Sequence, residues 1–123
     1  MKKECTILIM EPERIIGLEL QVLLESNGYS VLQFNATKLA LELNNKQKIK
    51  VIIINIDKAT ADDFAFIKNN FCLTEVSVIG ISSSKQIKKE SEGVKLIETF
   101  LKPFESKHIL SFINKCCIVD EYK

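Results

Sequence analysis

Glu11, Asn55, Asp57, Ser82 and Lys102 are polar residues that end or closely follow apolar runs, and their types suit work on a charged group. A carboxylate and an ammonium can orient an ion between them, and a hydroxyl can donate to it or accept from it. Glu11 follows Ile7-Leu8-Ile9-Met10, and Lys102 stands in Phe100-Leu101-Lys102-Pro103-Phe104. Beside Glu11, Lys102 would form an ion pair that closes the pocket, its net contribution set by desolvation against attraction. Asn55 ends an aliphatic run and, as an amide, can donate to Glu11 or Ser82 and satisfy a buried polar pocket. Asp57 lies two residues further, so in a continuing strand it points to the same face as Asn55.

Other chemistries have less to build on. No glycine-rich phosphate loop follows the first apolar run; Glu11-Pro12-Glu13-Arg14 would repel or block a phosphate. With one histidine, His108, no Ser-His-Asp or Cys-His set is identifiable. The four cysteines, Cys5, Cys72, Cys116 and Cys117, contain no Cys-x-x-Cys pair. They are expected to be reduced and to act as small apolar residues. Cys116 and Cys117, as neighbours, should point to different sides of a helix.

These residues need elements to position them. Thr6–Met10 is a compact strand, and residues 12–27 read as a helix with Ile16, Leu20, Leu23 and Leu24 on one face. Asn27-Gly28 ends that helix, glycine taking the left-handed conformation. A strand over 30–34 and a short helix over 37–45 follow. Residues 51–56 form a third strand; Val51 to Ile54 are all aliphatic, as in a strand buried on both sides at the centre of a parallel sheet. A helix over Ala61–Asn70, a strand over 76–82, a thinly apolar helix over 84–92 and a strand over 96–101 complete the alternation. Ser106 can cap a last helix whose inner face is Ile109, Phe112, Ile113 and Cys116.

Strands alternating with helices imply βαβ crossovers and a parallel sheet covered on both faces. In such sheets, sites lie beyond the carboxyl ends of the strands. Those ends are Met10-Glu11, Asn55-Ile56-Asp57, Ser82-Ser83 and Leu101-Lys102, so the polar residues gather at one edge. The domain is expected over residues 4–118, with a C-terminal tail over 119–123.

The bulk numbers agree with one globular unit. The chain has 123 residues, 46% hydrophobic and 27% charged, enough for one core. Seventeen basic residues against 16 acidic ones give a formal charge of +1, which draws the chain to neither nucleic acid nor an anionic membrane. No apolar run approaches the roughly 20 residues of a membrane helix, and the start is too short in apolar residues for a signal peptide. A cytoplasmic location is expected.

From Thr6 to Cys117 the sequence resembles the receiver domain of two-component response regulators. The resemblance is carried by Ile7-Leu8-Ile9-Met10-Glu11, the Asn27-Gly28-Tyr29 turn, the aliphatic third strand, Asp62, Ser82 and Lys102-Pro103-Phe104. It implies an α/β fold of flavodoxin-like, doubly wound (βα)5 form, with a five-stranded parallel sheet of order 2-1-3-4-5. It also implies a Lys102-Pro103 bond that is often cis in the family.

Family receivers hold a cluster of acids around a divalent metal: two from the first strand's end and one, the phosphate acceptor, from the third's. Glu11 matches the first acid, Ser82 the hydroxyl and Lys102 the lysine, while Asp62 matches a common helix-start residue. Pro12 stands at the second acid and Asn55 at the acceptor. A carboxamide is a poor nucleophile, and Mg²⁺ needs hard anionic oxygens, so metal and phosphoryl transfer should both be weakened. Pro12 suits the first turn of a helix instead. Asp57 stands where the family usually offers a backbone carbonyl to the metal. At most Glu11 and Asp57 could hold Mg²⁺, and no cofactor is expected otherwise. The aromatic reporter of active receivers is replaced by Thr99, and Phe100 beside it should face the core, with Lys102.

The leading expectation is therefore a non-enzymatic, receiver-like module that binds a protein partner independently of phosphate. The partner would be a histidine kinase or another signalling domain, or a second copy. By analogy the face is the fourth helix, fifth strand and fifth helix, around Thr99, Phe100 and Lys107. The alternatives are a phosphorylatable receiver using Asp57, or an unrelated small enzyme or ligand binder on the same kind of sheet.

Overall fold

The centre of the molecule is built from strands that bury alternate side chains on opposite faces. In a computed structural model, which describes residues 5–34, 49–84 and 90–121, with side chains as far as Cys117 in the last helix, β1 is Thr6–Met10 and β3 is Ile49–Asn55. Ile7, Ile9, Val51 and Ile53 enter one apolar cluster; Leu8, Met10, Ile52 and Ile54 enter the other. That period of two explains why the sequence of these strands is apolar without alternation. β2 (Ser30–Gln33) and β4 (Ser77–Ser82) flank this pair, and Glu98–Leu101, labelled β7 below, forms the far edge. All pairings are parallel, in the order β2-β1-β3-β4-β7, with Ile7 opposite Val31 and Val51, and Ile81 opposite Phe100. This is the expected doubly wound order, β7 being the fifth strand of the sheet.

Helices close both faces. α1 (Arg14–Ser26) and α3 (Ser106–Glu121) cover the first cluster through Leu20, Leu24, Ile109 and Ile113; α2 (Ala61–Asn70) covers the second through Phe64 and Ile67. α1 ends as its sequence implies. Gly28 takes φ 92, its N–H reaches Glu25 O at 3.1 Å, and the Tyr29 N–H reaches Leu24 O at 3.1 Å. Those two bonds satisfy carbonyls the helix leaves unpaired, and Tyr29 and Leu24 share the core beneath. α2 begins on a reciprocal cap: the Asp63 N–H donates to Thr60 Oγ1 at 3.2 Å, and the Thr60 N–H donates to Asp63 Oδ2 at 2.9 Å.

Several expectations change. Pro12 is not in the first helical turn; Glu13 is the N-cap, and α1 starts at Arg14. The helix expected over 84–92 is not formed at its end. Glu90–Ser91 (β5) pairs antiparallel with Val94–Lys95 (β6) around Glu92 and Gly93, whose φ values are 48° and 82°. Two successive positive φ values make the tight hairpin turn whose twist matches its strands. Val94 and Leu96 are drawn into the second cluster, so β7 starts later than expected. The helix over 37–45 lies outside the described residues. In α3 the buried stripe is Ile109, Ile113 and Cys117, with Cys116 only partly buried. Cys5 and Cys117 are disulfide-bonded, against the expectation of four reduced thiols, because the fold brings the start of β1 beside α3. The Lys102-Pro103 bond is cis.

Candidate functional site

The carboxyl ends of β1, β3, β4 and β7 bring the singled-out residues to one edge, where they form two hydrogen-bonded groups. The first centres on Glu11, whose side chain is wholly excluded from solvent. Lys102 Nζ donates to Glu11 Oε1 at 3.0 Å. Asn55 Nδ2 donates to Glu11 Oε2 at 2.8 Å, and the Glu13 N–H donates to the same oxygen at 3.1 Å. Lys102 Nζ also lies 3.7 Å from Glu13 Oε2. A buried carboxylate thus has a cation and two hydrogen-bond donors. The backbone positions the lysine: the Lys102 N–H donates to Ser82 O at 2.7 Å, extending the β4–β7 pairing.

Asn55 joins this group to the second. Its Oδ1 accepts from the Asp57 N–H at 3.0 Å, and its own backbone carbonyl accepts from the Lys58 and Ala59 N–H groups in the turn after β3. The Asp57 side chain turns to β4. Ser82 Oγ donates to Asp57 Oδ1 at 2.7 Å, while the Ser83 N–H and Oγ donate to Oδ2 at 2.6 and 2.8 Å. The Ser83 backbone donor and then the Ser82 hydroxyl hold the Asp57 carboxyl below its ordinary range. Asp57 therefore acts as the staple of the Ser82-Ser83 turn although it is exposed to solvent.

Glu11 and Asp57 are engaged by different hydrogen-bond donors. The donors on Glu11 are an ammonium and an amide, and those on Asp57 are hydroxyls and an N–H. That set does not fit a divalent cation, which needs several free anionic oxygens on one centre. Among the described residues no group of three or more His, Cys, Asp or Glu could hold a metal. Pro12 joins neither group. With Met10, Glu11, Phe34, Asn55, Lys58, Ala59 and Asp63 it lines a cleft of 220 Å³ beside them.

The expected partner face is divided by the sheet. Phe100 packs on the first cluster, its ring 6.0 Å from that of Phe112 in an edge-to-face arrangement. Thr99 lies on the other side, where its hydroxyl stands 3.3 Å from the place a side-chain carbon at Gly80 would take. The side chains offered to solvent nearby include Ile97, Glu98, Leu101, Glu105, Lys107 and His108. A second exposed feature was not read from the sequence: Ile15, Leu18 and Val22 form an apolar stripe on α1 at 73%, 48% and 64% exposure. The signal was present, since residues 15–24 carry more aliphatic side chains than one buried face can use.

No helix among the described residues is long and apolar enough to cross a membrane. No protein-family model matches the sequence, and no curated protein is significantly similar to it. Solved structures are. A response regulator from Thermotoga maritima superposes with a TM-score of 0.68 at 19% identity, over 95% of this chain and 98% of that one. A CheY-like response regulator receiver domain protein from Methanospirillum hungatei JF-1 gives 0.72 at 11% identity, over 98% and 99%. NtrX from Brucella abortus gives 0.73 at 17% identity, over 99% of this chain and 28% of that protein. Taken with the β2-β1-β3-β4-β7 order and the polar strand ends, the fold of this chain is that of the response regulator receiver domain.

Proposed function

We propose that this chain is a receiver-like module of two-component signalling in which Asn55 replaces the phosphate acceptor, and that it binds a protein partner without phosphate. The observation that carries this reading is the engagement of both Glu11 oxygens. Its two carboxylate oxygens accept from Lys102, Asn55 and the Glu13 N–H, so the pocket is closed by the chain's own groups. An amide at 55 makes that closure possible, because it donates where a carboxylate would repel. The module acts as a fixed scaffold rather than an enzyme. Its docking face is β7 with the start of α3, where Ile97, Leu101 and Lys107 are exposed. The partner class is a histidine kinase or another signalling domain, with a second copy as the homodimeric case.

The test is intact mass after incubation with Mg²⁺ and acetyl phosphate, beside an ordinary receiver as positive control. The reading expects no phosphoryl adduct on this chain. A second reading is favoured by one contact, that of Asp57 with Ser82, the hydroxyl matched to the family's phosphate-binding position. An adduct that vanishes in Asp57→Asn would establish that reading and overturn the first.

A further inference from the structure

Cys5 stands one residue before β1, and Cys117 ends the buried stripe of α3 that begins with Ile109 and Ile113. Their α-carbons are 6.4 Å apart, within the span a disulfide bridges, and they stand 112 positions apart in sequence, so the bond joins the two ends of the described fold. Both residues are buried, at 4% and 6% exposure, among Ile7, Val51 and Ile113. Cys116, next to Cys117 in sequence, is half-buried, and burial pushes its thiol up. Closer to the helix start, α3 is held by Ile109, by Phe112 against Phe100, and by the Tyr29 hydroxyl donating to Asn114 Oδ1. Cys117 is the last described anchor of the helix.

We propose that the Cys5–Cys117 bond is a redox-operated latch that sets how firmly the C-terminal part of α3 is held on the sheet, exchanging with a small thiol–disulfide couple of the glutathione type. In oxidation, one cysteine thiolate attacks the small disulfide, forms a mixed disulfide and releases one small thiol. The second cysteine thiolate attacks the protein sulphur of that mixed disulfide, closes Cys5–Cys117 and releases the second small thiol. Two electrons pass from the cysteine sulphurs to the small disulfide, and the two cysteine protons leave on the released thiols. Reduction is the reverse. Because both sulphurs are buried, exchange requires α3 to lift locally, so the latch couples redox state to helix opening. In the reduced form the two thiols pack in place as small apolar groups, the sheet is unchanged, and the end of α3 opens more often. The latch stands independently of the signalling reading, since it concerns only β1 and α3.

The native protein is equilibrated in glutathione buffers of graded redox ratio, quenched in acid, unfolded, alkylated and weighed. Oxidised protein should carry two alkyl groups, on Cys72 and Cys116, and reduced protein should carry four. Amide hydrogen exchange over residues 113–117 should rise about tenfold on reduction, while β3 is unaffected. Cys5→Ser should show the faster exchange with or without reductant, and Cys72→Ser/Cys116→Ser should retain the cycle. Four alkyl groups under every buffer, or a bond that folded protein never yields to glutathione, would overturn the latch; so would equal exchange in both states of the wild-type protein, which needs no variant to fold.

Discussion

Asn55 Nδ2 lies 2.8 Å from Glu11 Oε2, the separation at which a carboxylate in place of the amide would set two anions in contact inside the pocket. Replacing the amide is therefore the most informative change at this edge. Asn55→Asp should destabilise the domain by about 1–3 kcal/mol at pH 7, because one buried carboxylate must take a proton or lose its donor. The folded state would raise a carboxyl pKa, so the variant should be closest to wild type at low pH and lose stability as pH rises through that value. Mg²⁺ should raise the melting temperature of the variant and leave the wild type unchanged. Thermal unfolding with and without MgCl₂ decides this, and a wild-type shift would contradict the closed-pocket account.

Lys102 tests the same pocket from the cationic side. Its side chain is 15% exposed, against 0% for Glu11, so the ion pair is largely removed from water. Lys102→Met would leave Glu11 with only its amide and N–H donors and should cost about 2–4 kcal/mol in urea unfolding. Adding Glu11→Gln should recover most of that loss, since an uncharged pair has no orphaned ion. Additive losses in the double variant would mean that the two residues contribute separately.

Much of this edge was legible before any coordinates. The aliphatic run Val51 to Ile54 announced a central strand, and the strand ends named Glu11, Asn55, Ser82 and Lys102, with Lys102 set against Glu11 and Asn55 donating to Glu11 or Ser82; the structure takes both Glu11 contacts. The misreadings have physical causes. Residues 90–95 form a hairpin because Glu92 adopts a positive φ, which side chains other than glycine rarely take, so only Gly93 hinted at the turn. Pro12 fits a first helical turn by its ring, yet Glu13 provides the cap. The Cys5–Cys117 bond joins residues at opposite ends of the chain, and no local pattern reports such a contact. The Thr60-Ala61-Asp62-Asp63 cap carries its own sequence signal, a Thr with an acid three residues on.

Asp57 carries a pH signature. Its pKa is lowered in the folded protein by the Ser83 N–H and the Ser82 hydroxyl, so the carboxylate form is favoured by folding. The sign follows from linkage: the contribution is present above the unfolded carboxyl value, about 4, and is lost as pH falls through the lower folded value. Denaturant midpoints between pH 7 and pH 2.5 should fall less steeply for Asp57→Asn than for the wild type below pH 4. Parallel curves would mean that the Ser82-Ser83 turn does not depend on this charge.

Two exposed surfaces compete for the partner, and stability separates them from the core. Lys107 is 78% exposed, with a 3.5 Å contact to Glu105 that solvent screens, and Leu18 projects from α1 within the stripe of Ile15 and Val22. Neither Lys107→Glu nor Leu18→Glu should move the unfolding free energy by more than about 0.5 kcal/mol, because neither side chain fills the core. On the proposed face, charge reversal at Lys107 should weaken capture of the native partner at least about fivefold, and the loss should shrink at high salt as screening removes the charge's contribution. Leu18→Glu should leave capture unchanged. The reverse pattern would move docking to α1, where spacings of three and four residues line up apolar side chains as one helix presents them to another. Pull-down of both variants at two salt concentrations reads the choice directly, since only one of the two surfaces depends on charge.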